Sequence, residues 1–133
     1  MSAWDPLCSL RCLIVDDNAS FLRASRSLLE RQGLTVVGVA SSGAESLERA
    51  GELMPDLILL DIDLGQESGF TVARQLADAH GAAAKVILIS THPEDDFAEL
   101  VAQSPAVGFI AKSDLSVAAI ERLLDGASGL PGR

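Results

Sequence analysis

A chain of 133 residues with 48% apolar and 22% charged side chains is long enough for one domain with a real core, too short for two ordinary domains, and not disordered in composition. Its formal net charge of −9, with no run of Lys or Arg, repels a polyphosphate backbone and argues against nucleic-acid binding by this chain alone. No stretch reaches the roughly 18 consecutive apolar residues of a membrane span, and Met1 to Pro6 has no basic cluster followed by an apolar run, so a cytoplasmic protein is expected.

In chain order, residues 1–9 read as an N-terminal tail. The only two cysteines, Cys8 and Cys12, are too few for a disulfide scaffold and lack the nearby histidines of a zinc site. Leu10 to Val15 is short and apolar and reads as the first strand. Asn18 is placed to cap a helix carrying Phe21, Leu22, Leu28 and Leu29, which Gly33 ends. Thr35 to Ala40 is the second strand, and Ser42 or Gly43 opens a helix that must stop before Pro55. Asp56 to Leu60 follows as a third strand, then a helix with Phe70, Ala73, Leu76 and Ala77 on its inner face. Lys85 to Ile89 is the fourth strand, and Phe97, Leu100 and Val101 mark the inner face of the next helix. Val107 to Ile110 is the fifth, and Ser113 or Asp114 starts a last helix with Leu115, Ala119 and Leu123 inward. The domain is thus expected over residues 10–126, with 127–133 a linker-like tail or a truncated connection.

Strict alternation of strand and helix implies an α/β fold with parallel strands, right-handed crossovers and helices on both faces. Leu57 to Leu60 and Val86 to Ile89 are continuous apolar runs, as central strands buried on both faces require. Ligands of such a sheet bind outside the carboxyl ends of its strands. There the first strand ends in Asp16 and Asp17, the third in Asp61, the fourth in Ser90 and Thr91, and the fifth in Ala111 and Lys112. Crowded carboxylates repel one another unless a cation compensates, and a hard divalent ion such as Mg2+ takes oxygen ligands while leaving positions for phosphate oxygens. Asp61 can then act as a nucleophile toward a phosphoryl group, with the Ser90 hydroxyl and the Lys112 ammonium on its oxygens. Taken singly, each residue has a plainer role: helix-dipole partner for Asp16 and Asp17, turn residue for Asp61, local cap for Ser90, snorkelling amine for Lys112. Their joint placement at the ends of separate strands is what favours chemistry.

The segments Leu13-Ile14-Val15-Asp16-Asp17-Asn18, Leu59-Leu60-Asp61-Ile62-Asp63-Leu64, Ile87-Leu88-Ile89-Ser90 and Gly108-Phe109-Ile110-Ala111-Lys112 resemble the successive signatures of response-regulator receiver domains. Gly69, eight positions after Asp61, fits the same pattern, and Lys112-Ser113 most resembles receivers of LuxR-like transcription regulators. The resemblance implies a flavodoxin-like, doubly wound, five-stranded sheet in the order 2-1-3-4-5. It implies that Asp61 is the phosphoacceptor and that Mg2+ or Mn2+ is held directly by Asp17 and Asp61, largely through water by Asp16, and by the backbone carbonyl of Asp63. Ser90 matches the switch hydroxyl and Phe109 the switch aromatic, whose burial on phosphorylation reshapes the face of the fourth helix, fifth strand and fifth helix; the plainer role of Phe109 is a core residue. The implied partner is a histidine kinase or phosphotransfer protein, with a homodimer formed through that face. The implied activity is self-catalysed phosphotransfer and autodephosphorylation rather than turnover. Three residues depart from the pattern: Gly65 for a common proline, Thr91 for a small residue after the switch hydroxyl, and Ser113 for the proline that often follows the lysine.

Two other functions compete. Asp61-Ile62-Asp63-Leu64-Gly65 also looks like the first motif of haloacid-dehalogenase-type phosphatases, although that motif normally follows the first strand. A receiver-like interaction module that works without phosphate is the other, and Gly65 and Thr91 are the residues that speak for it.

Overall fold

The longest apolar runs of the sequence lie at the middle of the molecule, because strands covered on both faces admit no polar alternate. The computed structural model describes residues 10–81, 84–92 and 97–127. Their elements are β1 (Arg11–Val15), α1 (Ala19–Arg31), β2 (Thr35–Ala40), α2 (Gly43–Leu53), β3 (Leu57–Asp61), β4 (Asp63–Leu64), β5 (Glu67–Ser68) and α3 (Gly69–His80). The chain continues with β6 (Lys85–Ser90), α4 (Ala98–Gln103), β7 (Gly108–Ala111), a 3-10 turn (Lys112–Asp114) and α5 (Val117–Ala127). Five strands form one parallel sheet in the order β2-β1-β3-β6-β7, which is 2-1-3-4-5 when only its own strands are counted. β4 and β5 make a small separate antiparallel hairpin.

Alternate residues of each strand feed two cores. Leu13, Val15, Ile58, Leu60, Leu88 and Phe109 face α2, α3 and α4, meeting Ala50, Val72, Leu76 and Val101. Cys12, Ile14, Leu57, Leu59, Ile87 and Ile89 face α1 and α5, meeting Leu22, Leu29, Ala119 and Ile120. Each fully buried Leu or Ile contributes about 1.5–3 kcal/mol, so the strand ends beneath the site are held firmly.

Local signals set the helix ends. Asn18 Oδ1 accepts from Phe21 N at 3.1 Å and starts α1, and Gly33, at φ +100°, lets Leu34 N return to Leu29 O. Ser42 Oγ accepts from Glu45 N, while Met54 adopts a left-handed conformation (φ 51°) to end α2 before Pro55.

Several expectations need correction. Leu100 is 50% exposed, since the short α4 turns only Val101 fully inward. On α3 Val72 rather than Ala77 is the fully buried partner of Ala73 and Leu76. The last helix opens at Val117, not at Ser113 or Asp114, because Lys112 to Asp114 form the 3-10 turn and Val117 N is capped by Gln32 Oε1 at 2.8 Å. Leu115 is buried ahead of that helix rather than on it. α5 reaches Ala127, where the C-terminal tail was expected to begin. The rest of that tail, the N-terminal tail and Cys8 lie outside the described residues. No helix among the described residues is long and apolar enough to cross a membrane.

Candidate functional site

At the carboxyl edge of the sheet, the strands deliver their polar side chains within reach of one another. Asp16 directly follows β1, its backbone held by Asp16 N donating to Ala40 O at 3.0 Å. Its side chain is fully buried; Oδ1 accepts from Asn18 N at 2.8 Å, and Asp17 beside it is exposed. Asp61 is the last residue of β3, paired with Ile89 and almost fully buried, and its Oδ1 accepts from Asp63 N at 3.1 Å. Behind it Gly69 N donates to Ile62 O at 2.6 Å, and a Cβ on Gly69 would collide with Asp61 O and Ile62 Cα. Only glycine therefore lets α3 start this close to the Asp61 backbone.

Lys112, just past β7, reaches back across the rim. Its Nζ lies 2.6 Å from Asp16 Oδ2, donates to Asp61 Oδ2 at 3.3 Å, and stands 4.3 Å from the centroid of the Phe21 ring. Oxygens of Asp16, Asp17 and Asp61 all fall within 4.8 Å of one another. Burial, resisted by the Asp63 N–H and aggravated by the charge of Asp16, pushes the Asp61 carboxyl up to about 6. Burial opposes the Lys112 ammonium, but Asp16 and Asp61 outweigh it and hold its pKa above the ordinary value. One ammonium faces two buried carboxylates and a third, exposed one. Asp16 Oδ2 is a fully buried side-chain oxygen that the Lys112 ammonium approaches at 2.6 Å as an ion pair. An all-oxygen set with surplus negative charge fits a hard divalent cation.

Ser90, 3% exposed, ends β6 beside Asp61, and its Oγ accepts from His92 N at 3.0 Å, which leaves the hydroxyl proton to donate. Thr91 is exposed. Phe109 is 7% exposed and packed in the core. Asp63 is exposed and opens the β4–β5 hairpin, whose turn holds Gly65 at φ +73°. That conformation is closed to proline and explains the first departure from the family pattern. A Cβ on Gly65 would stand 3.2 Å from Asp17 Oδ2. No cis peptide occurs among the described residues, Lys112–Ser113 included.

The structure thus brings together Asp16, Asp17, Asp61 and Lys112, with Ser90 on the adjoining strand end. Sequence reasoning missed two participants. Phe21 read only as a helix core residue, though its ring faces Lys112. Glu67 was not singled out, yet its Oε1 accepts from Gly43 N at 2.8 Å and ties the hairpin to the start of α2. Neither contact has a local sequence signal, since each spans more than twenty positions.

The sequence profile of the response regulator receiver domain matches residues 12–123. Response regulator GacA of Pseudomonas viridiflava is 37% identical over 105 residues, which cover 77% of this chain and 48% of that protein. The chain spans about half the length of the first curated relatives it matches. A two-component response regulator of the LuxR family from Aurantimonas sp. SI85-9A1 superposes with a TM-score of 0.78 at 29% identity, covering 88% of this chain and 86% of that one. A response regulator protein from Burkholderia pseudomallei, solved with a phosphorylated aspartic acid, calcium ion and citrate, superposes with a TM-score of 0.77 at 26% identity, over 91% and 70% of the two chains.

Proposed function

The chain belongs to the response regulator receiver family, and from that premise we propose that Asp61 accepts a phosphoryl group from a histidine kinase or phosphotransfer protein in the cytoplasm. The observation that carries this reading is the placement of Asp61 Oδ2 at 3.3 Å from the Lys112 ammonium, inside a carboxylate cluster within 4.8 Å. The phosphorylated aspartic acid and calcium ion of the Burkholderia protein, on a similar fold, support it. Family membership sets aside the dehalogenase-type alternative.

In the proposed reaction a carboxylate oxygen of Asp61 forms a bond to phosphorus while the donor's bond to phosphorus breaks and the leaving group keeps the electron pair. Asp16, Asp17, Asp61 and the backbone carbonyl of Asp63 would hold Mg2+ or Mn2+, which supplies charge neutralisation on the phosphoryl oxygens when bound. Lys112 neutralises one of those oxygens and the free Ser90 proton is donated to another. Burial excludes water from Asp61, its side chain being only 7% exposed. The α4–β7–α5 face is the output surface, and the exposed Leu100 on α4 suits it to a second copy or a partner.

Intact-mass measurement after incubation with acetyl phosphate tests the reading. One phosphoryl adduct is expected with Mg2+, none with a chelator, and none in Asp61→Asn. An adduct that persists in the variant, or never forms on the native chain, defeats it. A phosphate-independent module is the alternative, and Gly65 and Thr91 are the residues that speak for it. Equal partner binding by Asp61→Asn and by the phosphorylated chain would select that alternative.

A further inference from the structure

The lysine at the rim has a third partner besides its two carboxylates. The Lys112 side chain is 13% exposed, and its ammonium stands over the face of Phe21, 4.3 Å from the ring centroid, while Asp16 and Asp61 approach from the other sides. Phe21 is itself held in place. Asn18 N donates to Asp16 Oδ1 at 2.8 Å, and Asn18 Oδ1 accepts from Phe21 N at 3.1 Å. The contacts therefore close a ring: Asp16 fixes Asn18, Asn18 fixes Phe21, the Phe21 ring faces Lys112, and Lys112 pairs with Asp16.

We propose that Phe21 is a positioning residue, its ring face holding the Lys112 ammonium between Asp16 and Asp61. Lys112 carries its charge on a flexible four-carbon stem, and a point charge of this kind is directed only by what surrounds it. Both carboxylates are groups that a cation or a phosphoryl group must share, so their hold on the ammonium weakens when the site is used. The aromatic face has no such competitor. Its attraction to a cation comes from the ring quadrupole and grows as water is excluded. Phe21 thus keeps Lys112 at the rim in the resting and the loaded site alike. Its role in phosphorylation rests on the phosphoacceptor reading above, but its hold on the lysine does not.

Two measurements on the full chain separate these. In the first, NMR of the metal-free protein follows the Lys112 ε-methylene protons, which lie in the shielding zone of the ring. An upfield shift is expected in the native chain and in Phe21→Tyr, with return to the ordinary lysine position in Phe21→Leu. An identical shift in native and Phe21→Leu overturns the proposal. In the second, acetyl phosphate with Mg2+ is the probe. Phe21→Leu should slow phosphorylation about two- to thirtyfold, the span of one cation–π contact from exposed to desolvated, and should cause no further slowing in a Lys112→Ala background. Equal slowing in both backgrounds assigns Phe21 to the fold alone and overturns the proposal. Site-specific replacement of Phe21 by pentafluorophenylalanine keeps the shape and reverses the quadrupole, so it covers the case in which Phe21→Leu misfolds; the same slowing is expected, and native kinetics overturn the proposal. A native chain that takes no phosphate defeats the phosphoacceptor reading instead, and the NMR shift then decides the position of Lys112 by itself.

Discussion

The two ends of the central sheet use the same residue type in opposite ways. At the amino end Asp56 precedes β3 and is matched on every side: its Oδ2 accepts from Arg11 N at 3.0 Å, its N donates to Arg11 O at 2.8 Å, and its O accepts from Lys85 N at 2.9 Å. Arg11 Nη1 adds a bond to Met54 O at 2.9 Å. At the carboxyl end of the same strand Asp61 is buried beside Asp16 with one shared ammonium between them. Asp56 holds three strands in register from an exposed position where water reaches its carboxylate. Asp61 has surplus charge and a pKa displaced upward, a pattern that marks sites of chemistry more often than sites of structure. The teaching is that type and strand position alone do not separate the two aspartates; the supply of donors does.

The largest effect on this contrast is expected from Gly69→Ala. The added methyl meets the backbone of Asp61 and Ile62, which cannot swing aside as a side-chain end could, and overpacking of this kind costs about 1–3 kcal/mol or somewhat more. Chemical denaturation should show that loss together with slowed acetyl phosphate labelling. Gly108→Ala is the control, since its added methyl meets only the movable end of Leu123. Similar losses in both variants would show that Gly69 has no special tie to the Asp61 backbone.

Next in size is Asp61→Asn, which should stabilise the cation-free protein at neutral pH. Folding raises the Asp61 pKa from 3.8 to about 6, so between those values the folded state binds more protons than the unfolded one. Stability from this group is complete below the lower value and falls as pH rises through about 6. A shift of this size corresponds to about 1–3 kcal/mol at pH 7 after allowance for its coupling to Asp16 and Lys112. The melting temperature of Asp61→Asn should exceed that of the native chain at pH 7, and the gap should close as pH falls below about 5. A gap that stays constant with pH would mean that folding leaves the Asp61 carboxyl unperturbed.

Much of this was legible before any coordinates. Alternating apolar runs and glycine or proline punctuation gave five strands in the right places, because the central strands are buried on both faces and α1, α2 and α3 carry their own caps. Asp16, Asp17, Asp61, Ser90 and Lys112 could be placed on one rim because parallel strands all end on the same side. Less legible was what local pattern does not encode. Leu100 satisfied the helical period, but α4 is too short to bury it. Lys112 to Asp114 tightened into a 3-10 turn, so the last helix waited for a cap from Gln32 on a distant element. The ring of Phe21 read as a core residue of the first helix, and only the fold shows it facing a lysine ninety-one positions away.

The smallest effect, and the one that completes the comparison, belongs to Asp56→Ala. Removing this carboxylate leaves Arg11 N without its side-chain partner, but the site is exposed and water can replace the lost acceptor. A cost of about 1 kcal/mol is expected, opposite in sign to the effect of Asp61→Asn at pH 7. Acetyl phosphate labelling should be untouched, since Asp56 lies at the far end of β3 from Asp61. Measured beside each other by urea unfolding, the two substitutions on one strand should move stability in opposite directions. If Asp56→Ala were stabilising too, the general acidity of the chain, at a net charge of −9, would account for both results, and the carboxyl-end cluster would lose its distinction.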